Sequence, residues 1–124
     1  MKKKIAVVED DTVLSDSLKT GLEDAGFDVV RAFDGEEALK VIETQMPDLV
    51  LLDLIIPKIG GMIVAKQIKS NVRTKGIPII ILSAVDSAAI VAEAMANGMY
   101  KYILKSDVKI EEVVRRVKQE LENS

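Results

Sequence analysis

Apolar runs of strand length alternate along this chain with segments whose apolar residues recur at helical spacing. A first strand is predicted over 4–9 (KIAVVE). Residues 12–25 follow as a helix, with Val13, Leu14, Leu18 and Leu22 at helical spacing, Asp11 in the N-cap position and Gly26 as the stop. FDVVRA (27–32) is a short second strand. DGEEALKVIETQ opens a second helix, with Asp34 and Glu37 spaced as a capping box. Pro47 breaks the chain, and DLVLLD (48–53) is the third strand. Gly60 and Gly61 turn into a third helix that runs to about Asn71. IPIIILS (77–83) is the fourth strand, with Pro78 tolerable at its start. A fourth helix covers 87–97 and stops at Gly98. YKYILK (100–105) is the fifth strand, and a last helix spans 108–122 with Asp107 in the cap position.

Five strands thus alternate with five helices. The third and fourth strands are apolar throughout, as expected where helices cover both faces of a sheet. The pattern calls for an open parallel α/β sheet. In such sheets ligands bind beyond the carboxyl ends of the strands, so the residues at those ends matter most.

Those ends are polar. The first strand runs into Glu9, Asp10 and Asp11, the third into Asp53, the fourth into Ser83 and the fifth into Lys105. An ionised carboxylate inside an apolar run is costly unless it surfaces or finds a partner. Asp53 does both if these ends share one edge. Clustered carboxylates raise one another's pKa unless a cation intervenes. An acid-rich, all-oxygen site suits Mg²⁺, which takes one or two carboxylates and accepts phosphate oxygens. An aspartate can act as nucleophile and form an acyl phosphate. A lysine and a serine hydroxyl can stabilise the phosphoryl oxygens.

Composition narrows the chemistry further. The 124 residues suit one domain over 1–124, and 48% hydrophobic content is enough for a full core. There is no cysteine and no histidine, so thiol chemistry, a histidine base and a phosphohistidine are excluded within this chain. The net charge of -3, from 17 basic and 20 acidic residues, gives no electrostatic case for nucleic acid. The first residues do not form a signal peptide, and no apolar run approaches the roughly 20 residues of a membrane span. A cytoplasmic protein that binds neither membrane nor nucleic acid is the expectation.

With these residues in this order, the chain resembles the receiver domain of a two-component response regulator. The resemblance covers essentially the whole chain and rests on VVED, LLDLIIP, ILSA and YILK. It implies a flavodoxin-like doubly wound (βα)5 three-layer sandwich with a five-stranded parallel sheet in the order 2-1-3-4-5. It also implies a stand-alone, Mg²⁺-dependent phosphoryl acceptor acting as a protein-interaction switch, similar to the chemotaxis regulators. Asp53 is then the phosphoacceptor and a metal ligand. Asp10 is a direct metal ligand, Glu9 one that acts through water, and the Ile55 carbonyl completes the set. Lys105 pairs with Asp53 and then with the phosphoryl group, which Ser83 and the Ala84 amide also bind. Ser83 and Tyr102 move together as the switch, toward the face of the fourth helix and fifth strand. The phosphoryl group comes from a histidine kinase, a phosphotransfer protein or a small donor, and the output partner is a protein. Apart from its own phosphorylation and dephosphorylation the chain is not an enzyme. Asp11 is expected to be a helix cap rather than a ligand.

Several positions depart from the family's pattern. Ser106 follows Lys105 where proline is common, which predicts a trans bond. Gly60 replaces a small polar residue. Ile55 and Val85 are apolar where relatives are often polar, which predicts slow hydrolysis of the acyl phosphate. The fourth helix carries one charge, Glu93, where a surface helix should be apolar on one stripe only. Ile90, Val91, Met95, Met99 and Tyr100, with Ile63 of the third helix, form a candidate interface for self-association. That face permits an alternative function: a receiver-fold assembly protein, a natural pseudo-receiver or a designed oligomer, with the phosphorylation site unused. A phosphohydrolase of the haloacid dehalogenase type would need a second aspartate where Ile55 stands.

Overall fold

The computed structural model describes residues 2–99 and 101–123, with only the backbone of Asp107. Strands and helices alternate in the order β1 (Lys4–Val8), α1 (Thr12–Asp24), β2 (Asp28–Ala32), α2 (Gly35–Gln45), β3 (Leu49–Leu52), α3 (Gly61–Ser70), β4 (Ile79–Ser83), α4 (Ala88–Ala96), β5 (Lys101–Leu104) and α5 (Ile110–Glu122). The strands pair in parallel in the order β2-β1-β3-β4-β5. This is the flavodoxin-like doubly wound sheet that the sequence pattern and the resemblance imply.

Strand alternation divides the core in two. Ala6, Val8, Val50, Leu52, Ile79 and Ile81 face one layer, where Ala38 and Ile42 of α2 and Val64, Ala65 and Ile68 of α3 pack. Ile5, Val7, Leu49, Leu51, Ile80 and Leu82 face the other, against Leu18 and Leu22 of α1 and Val113 and Val117 of α5. Each fully buried Leu or Ile contributes roughly 1.5–3 kcal/mol. The three central strands are therefore buried on both sides, and only their ends reach the surface.

Local signals set the ends of the helices. Asp11 Oδ1 accepts from the amides of Val13 (3.0 Å) and Leu14 (3.2 Å), so Asp11 is a cap as predicted. Asp34 Oδ1 accepts from Glu37 N at 2.8 Å. Glu37 Oε1 in turn accepts from Phe33 N at 2.9 Å, one residue earlier than an ideal capping box. Gly26 and Gly98 take φ of +97° and +84° after α1 and α4, a conformation that favours glycine.

The last helix differs from prediction. Lys105–Asp107 forms a 3-10 turn and Val108 is extended, so α5 starts at Ile110 with Lys109 as its N-cap. Asp107 is therefore not the cap. No cis peptide occurs among the described residues, in keeping with the expected trans bond before Ser106.

The α4 surface also needs correction. Met99, just past Gly98, is 1% exposed and belongs to the first core layer with Ala94, so it is not an interface residue. The turn at Gly98 folds the chain back toward β5 and carries Met99 inward. Ile90 and Val91 are half-buried, while Met95 and Ile63 are 45% and 52% exposed. Tyr100 lies outside the described residues.

Candidate functional site

Register brings the polar strand ends together. Val8 pairs with Leu52, so Glu9 and Asp53 leave adjacent strands side by side. The Asp53 amide donates to Val8 O at 3.0 Å, and the Glu9 amide to Ala32 O at 3.1 Å. On the other side of the sheet centre, Ser83 pairs with Leu104, which places Lys105 one step beyond. Glu9, Asp53 and Lys105 are in phase with Val7, Leu51 and Ile103 of the second core layer. Ser83 continues the phase of Ile79 and Ile81, on the first.

The acids and the lysine form a compact group. Lys105 Nζ lies 2.8 Å from Asp53 Oδ2 and 2.7 Å from Glu9 Oε1. Asp53 is 5% exposed and Glu9 2%, so both charges need these partners. Asp53 Oδ1 accepts from Ile55 N at 3.1 Å, and Glu9 Oε2 from Asp11 N at 3.1 Å. Burial raises the Glu9 carboxyl above its ordinary value, against the pull of Lys105 and the Asp11 amide. Burial alone would lower the Lys105 ammonium, but its bonds to Asp53 and Glu9 outweigh that and hold it above its ordinary value.

Asp10 is exposed, and one oxygen each from Glu9, Asp10 and Asp53 lie within 4.8 Å of one another. This all-oxygen donor set fits a hard divalent cation such as Mg²⁺. The β3–α3 turn is pinned just beside it. Gly61 N donates to Leu54 O at 3.0 Å, and a Cβ on Gly61 would stand 2.2 Å from Asp53 O. Only glycine lets α3 start so close to the Asp53 backbone.

Ser83 and Tyr102 are joined through a residue that the sequence did not single out for this role. The Ser83 hydroxyl, fully buried, accepts from Val85 N at 3.2 Å. The Tyr102 hydroxyl donates to Val85 O at 2.6 Å. Val85 is thus held at both its backbone groups. Ala84 between them is exposed. The signal for Val85 was its place two residues after the strand-end serine, where a hydroxyl commonly takes up a following amide. The Ile55 side chain projects into solvent beside Asp53.

A doubly wound sheet with acids and a lysine gathered at its carboxyl edge defines a small class of α/β domains with a ligand-facing edge. The family model described as the response regulator receiver domain matches residues 5–118, and the chain belongs to that family. Among solved structures, the chain is similar to a CheY-like response regulator receiver domain protein from Methanospirillum hungatei JF-1, with a TM-score of 0.92, 27% identity and coverage of 99% of this chain and 96% of that one. It is also similar to the Francisella response regulator 1452 receiver domain, with a TM-score of 0.88, 32% identity and 98% of each chain covered. Among curated proteins, it is 45% identical over 86 residues to the alkaline phosphatase synthesis transcriptional regulatory protein PhoP of Bacillus subtilis, covering 69% of this chain and 35% of that protein. It is 36% identical over 121 residues to the DNA-binding response regulator MtrA of Mycobacterium leprae, covering 98% of this chain and 52% of that protein. The chain spans about half the length, or less, of these curated relatives. Receiver domains of this family switch on phosphorylation, use Mg²⁺ at an acidic pocket and work with histidine kinases or phosphotransfer proteins. No helix among the described residues is long and apolar enough to cross a membrane.

Proposed function

We propose that this chain is a phosphoacceptor switch in which Asp53 takes a phosphoryl group from a histidine kinase, a phosphotransfer protein or a small donor. The observation that carries this reading is the Lys105–Asp53 ion pair set beside Glu9 and Asp10 on aligned strand ends. Glu9, Asp10, Asp53 and the Ile55 carbonyl would hold Mg²⁺, Glu9 through a water. The ion supplies positive charge against the phosphoryl oxygens. A carboxylate oxygen of Asp53 attacks phosphorus, the bond to the donor's leaving group breaks, and an acyl phosphate remains. Lys105 neutralises one phosphoryl oxygen, while the Ser83 hydroxyl and the Ala84 amide donate to others. Drawing Ser83 toward that group disturbs its bond to Val85, and Tyr102 follows because it holds the same residue.

The chain is read as one receiver domain over 1–124 that acts in the cytoplasm, and the domain itself works through a protein contact rather than on DNA. The longer DNA-binding relatives use a matching stretch within their own chains. Apart from turning over its own acyl phosphate, the chain is not an enzyme. A second reading, assembly with the site unused, is favoured by exposed Ile63 and Met95.

The test is intact mass after incubation with Mg²⁺ and a small phosphodonor, beside Asp53→Asn. A gain of one phosphoryl group in the parent alone supports the switch. No gain in either protein moves assembly to first place.

A further inference from the structure

Asn97–Gly98 is the only Asn-Gly pair in the sequence, and it closes α4. Asn97 is exposed and serves as the C-cap, and Gly98 follows with φ of +84°. Gly98 N donates to Met95 O at 3.0 Å, and Met99 N to Ala94 O at 2.9 Å. These are the crossed bonds of a Schellman motif, and Met99 and Ala94 lie in the same core layer beneath them. The Asn97 side-chain amide donates to Glu93 O at 2.8 Å.

An asparagine followed by glycine is chemically unstable. With no side chain on the follower, the next backbone nitrogen can close on the side-chain carbonyl carbon. The cap opposes that closure. It occupies the Gly98 N–H and the Asn97 amide group, and it holds Asn97 at ψ of +15°, whereas the closed ring fixes ψ far outside the helical range. The cap itself rests on little. Ala94 is the fully buried residue of α4 among those described, and Ser87 gives no side-chain bond at the other end. Other candidates are better protected. Gly35 after Asp34 is buried, with its amide held by Pro57 O at 3.0 Å. Asn71 is followed by β-branched Val72, which crowds the attacking nitrogen.

We infer that Asn97 is a self-modification site, where deamidation is gated by opening of the last turn of α4. In the open turn, Gly98 N attacks Asn97 Cγ and the Cγ–Nδ2 bond breaks. The side-chain nitrogen leaves as ammonia, taking the Gly98 amide proton. Water, the only co-reactant, then opens the succinimide to an aspartyl or an isoaspartyl residue. Neither product restores the cap. A carboxylate cannot donate to Glu93 O, and negative charge at a helix C-terminus opposes the macrodipole. The isoaspartyl form also adds a backbone carbon before Gly98, which breaks the crossed bonds that carry Met99 inward. The modification is therefore one-way and loosens α4 from β5. No step uses Asp53, so the inference stands apart from the phosphoryl reading.

The experiment incubates the full chain at mildly alkaline pH, in buffer and in denaturing urea, with Asn97→Gln beside it. Conversion at position 97 is followed by peptide mapping, with isoaspartate detected by enzymatic methylation. The folded chain should convert about 10- to 100-fold more slowly than the unfolded one, which is the protection a few local hydrogen bonds give. Asn71 and the Asn97→Gln variant should show no conversion over the same period. Lys66→Met removes the 3.1 Å pair to Glu93 that ties α4 to α3, and should speed conversion in buffer but not in urea. Asn97→Asp, which mimics one product, should stay folded and exchange its Gly98 and Met99 amide hydrogens faster than the parent. A folded rate equal to the unfolded rate overturns the gate. A folded rate slower by about a thousandfold or more also overturns it, because conversion then follows global unfolding. Unchanged exchange in Asn97→Asp overturns the loss of the cap.

Discussion

Val85 is held at both its backbone groups, by a serine at the end of β4 and a tyrosine within β5. Tyr102→Phe removes one of those bonds and leaves the Val85 carbonyl without that donor. The expected cost is about 1 kcal/mol, read as a lower denaturation midpoint with an unchanged slope. The effect has a pH signature. Burial raises the Tyr102 phenol above its ordinary value, chiefly by disfavouring the phenolate. A group whose pKa is raised on folding contributes stability that is present below its unfolded value and lost as pH climbs through the folded one. The parent's advantage over Tyr102→Phe should therefore hold at neutral pH and fade above about pH 10. An advantage that stays flat through that window would remove Tyr102 ionisation from the account. A second residue-scale prediction concerns Ile55. Its exposed side chain offers no hydrogen bond to a water approaching Asp53, and Val85 offers an apolar side chain two residues beyond Ser83. Ile55→Asn should speed loss of the acyl phosphate several-fold, as followed by intact mass after donor removal. A parent half-life of seconds, or no change in the variant, counts against this.

At the scale of elements, α3 shows two neighbouring glycines with opposite roles. Gly61 has no room for a Cβ, because Asp53 O stands 2.2 Å from where it would lie. Gly60 has open space around it and serves as an N-cap without a side-chain bond. Gly61→Ala should destabilise the fold by about 1–3 kcal/mol, or more if the backbone cannot shift. Gly60→Ser should be neutral or stabilise by a few tenths of a kcal/mol by capping α3. Equal effects from the two substitutions in denaturant titrations would refute this division.

The same contrast explains what could be read from the chain beforehand. Asp11 and Asp34 are caps written in local spacing, and the structure keeps both. The strand-end acids and Lys105 were legible because polar residues stop apolar runs there. Gly61 against the Asp53 carbonyl was not, since it depends on how β3 and α3 meet. Met99 stands just past the helix stop at Gly98, where the backbone turns inward, so its apolar character marks core rather than surface. Asp107 would cap a helix beginning at Val108, but Val108 is extended and the helix begins at Ile110. The Lys105–Glu9 bond depends on register between strands far apart in sequence, which no local pattern carries.

Across the whole molecule, the question is what the α4 side of the domain is for. The helix carries nine residues, and Ala94 is its one fully buried side chain among those described. Ser87 gives it no side-chain cap, and no acid stands in its first turn. Its attachment is therefore light, through Ala94, half-buried Ile90 and a Lys66–Glu93 ion pair of 3.1 Å to α3. An exposed pair of this kind is worth at most about 1 kcal/mol. Meanwhile Met95 and Ile63 stay in solvent, where a water-facing helix normally carries charge. A lightly held helix with an apolar outer side suits an element that shifts when Val85 is released and then meets a partner. Self-association is the expected form of that contact. Sedimentation equilibrium should show reversible oligomers at high micromolar concentration, shifted toward the larger species by the phosphodonor. Met95→Lys and Ile63→Lys should weaken that association while leaving the mass gain at Asp53 intact. Association that the donor does not alter would tie the face to assembly rather than to the switch, and a monomer at every concentration would set both aside.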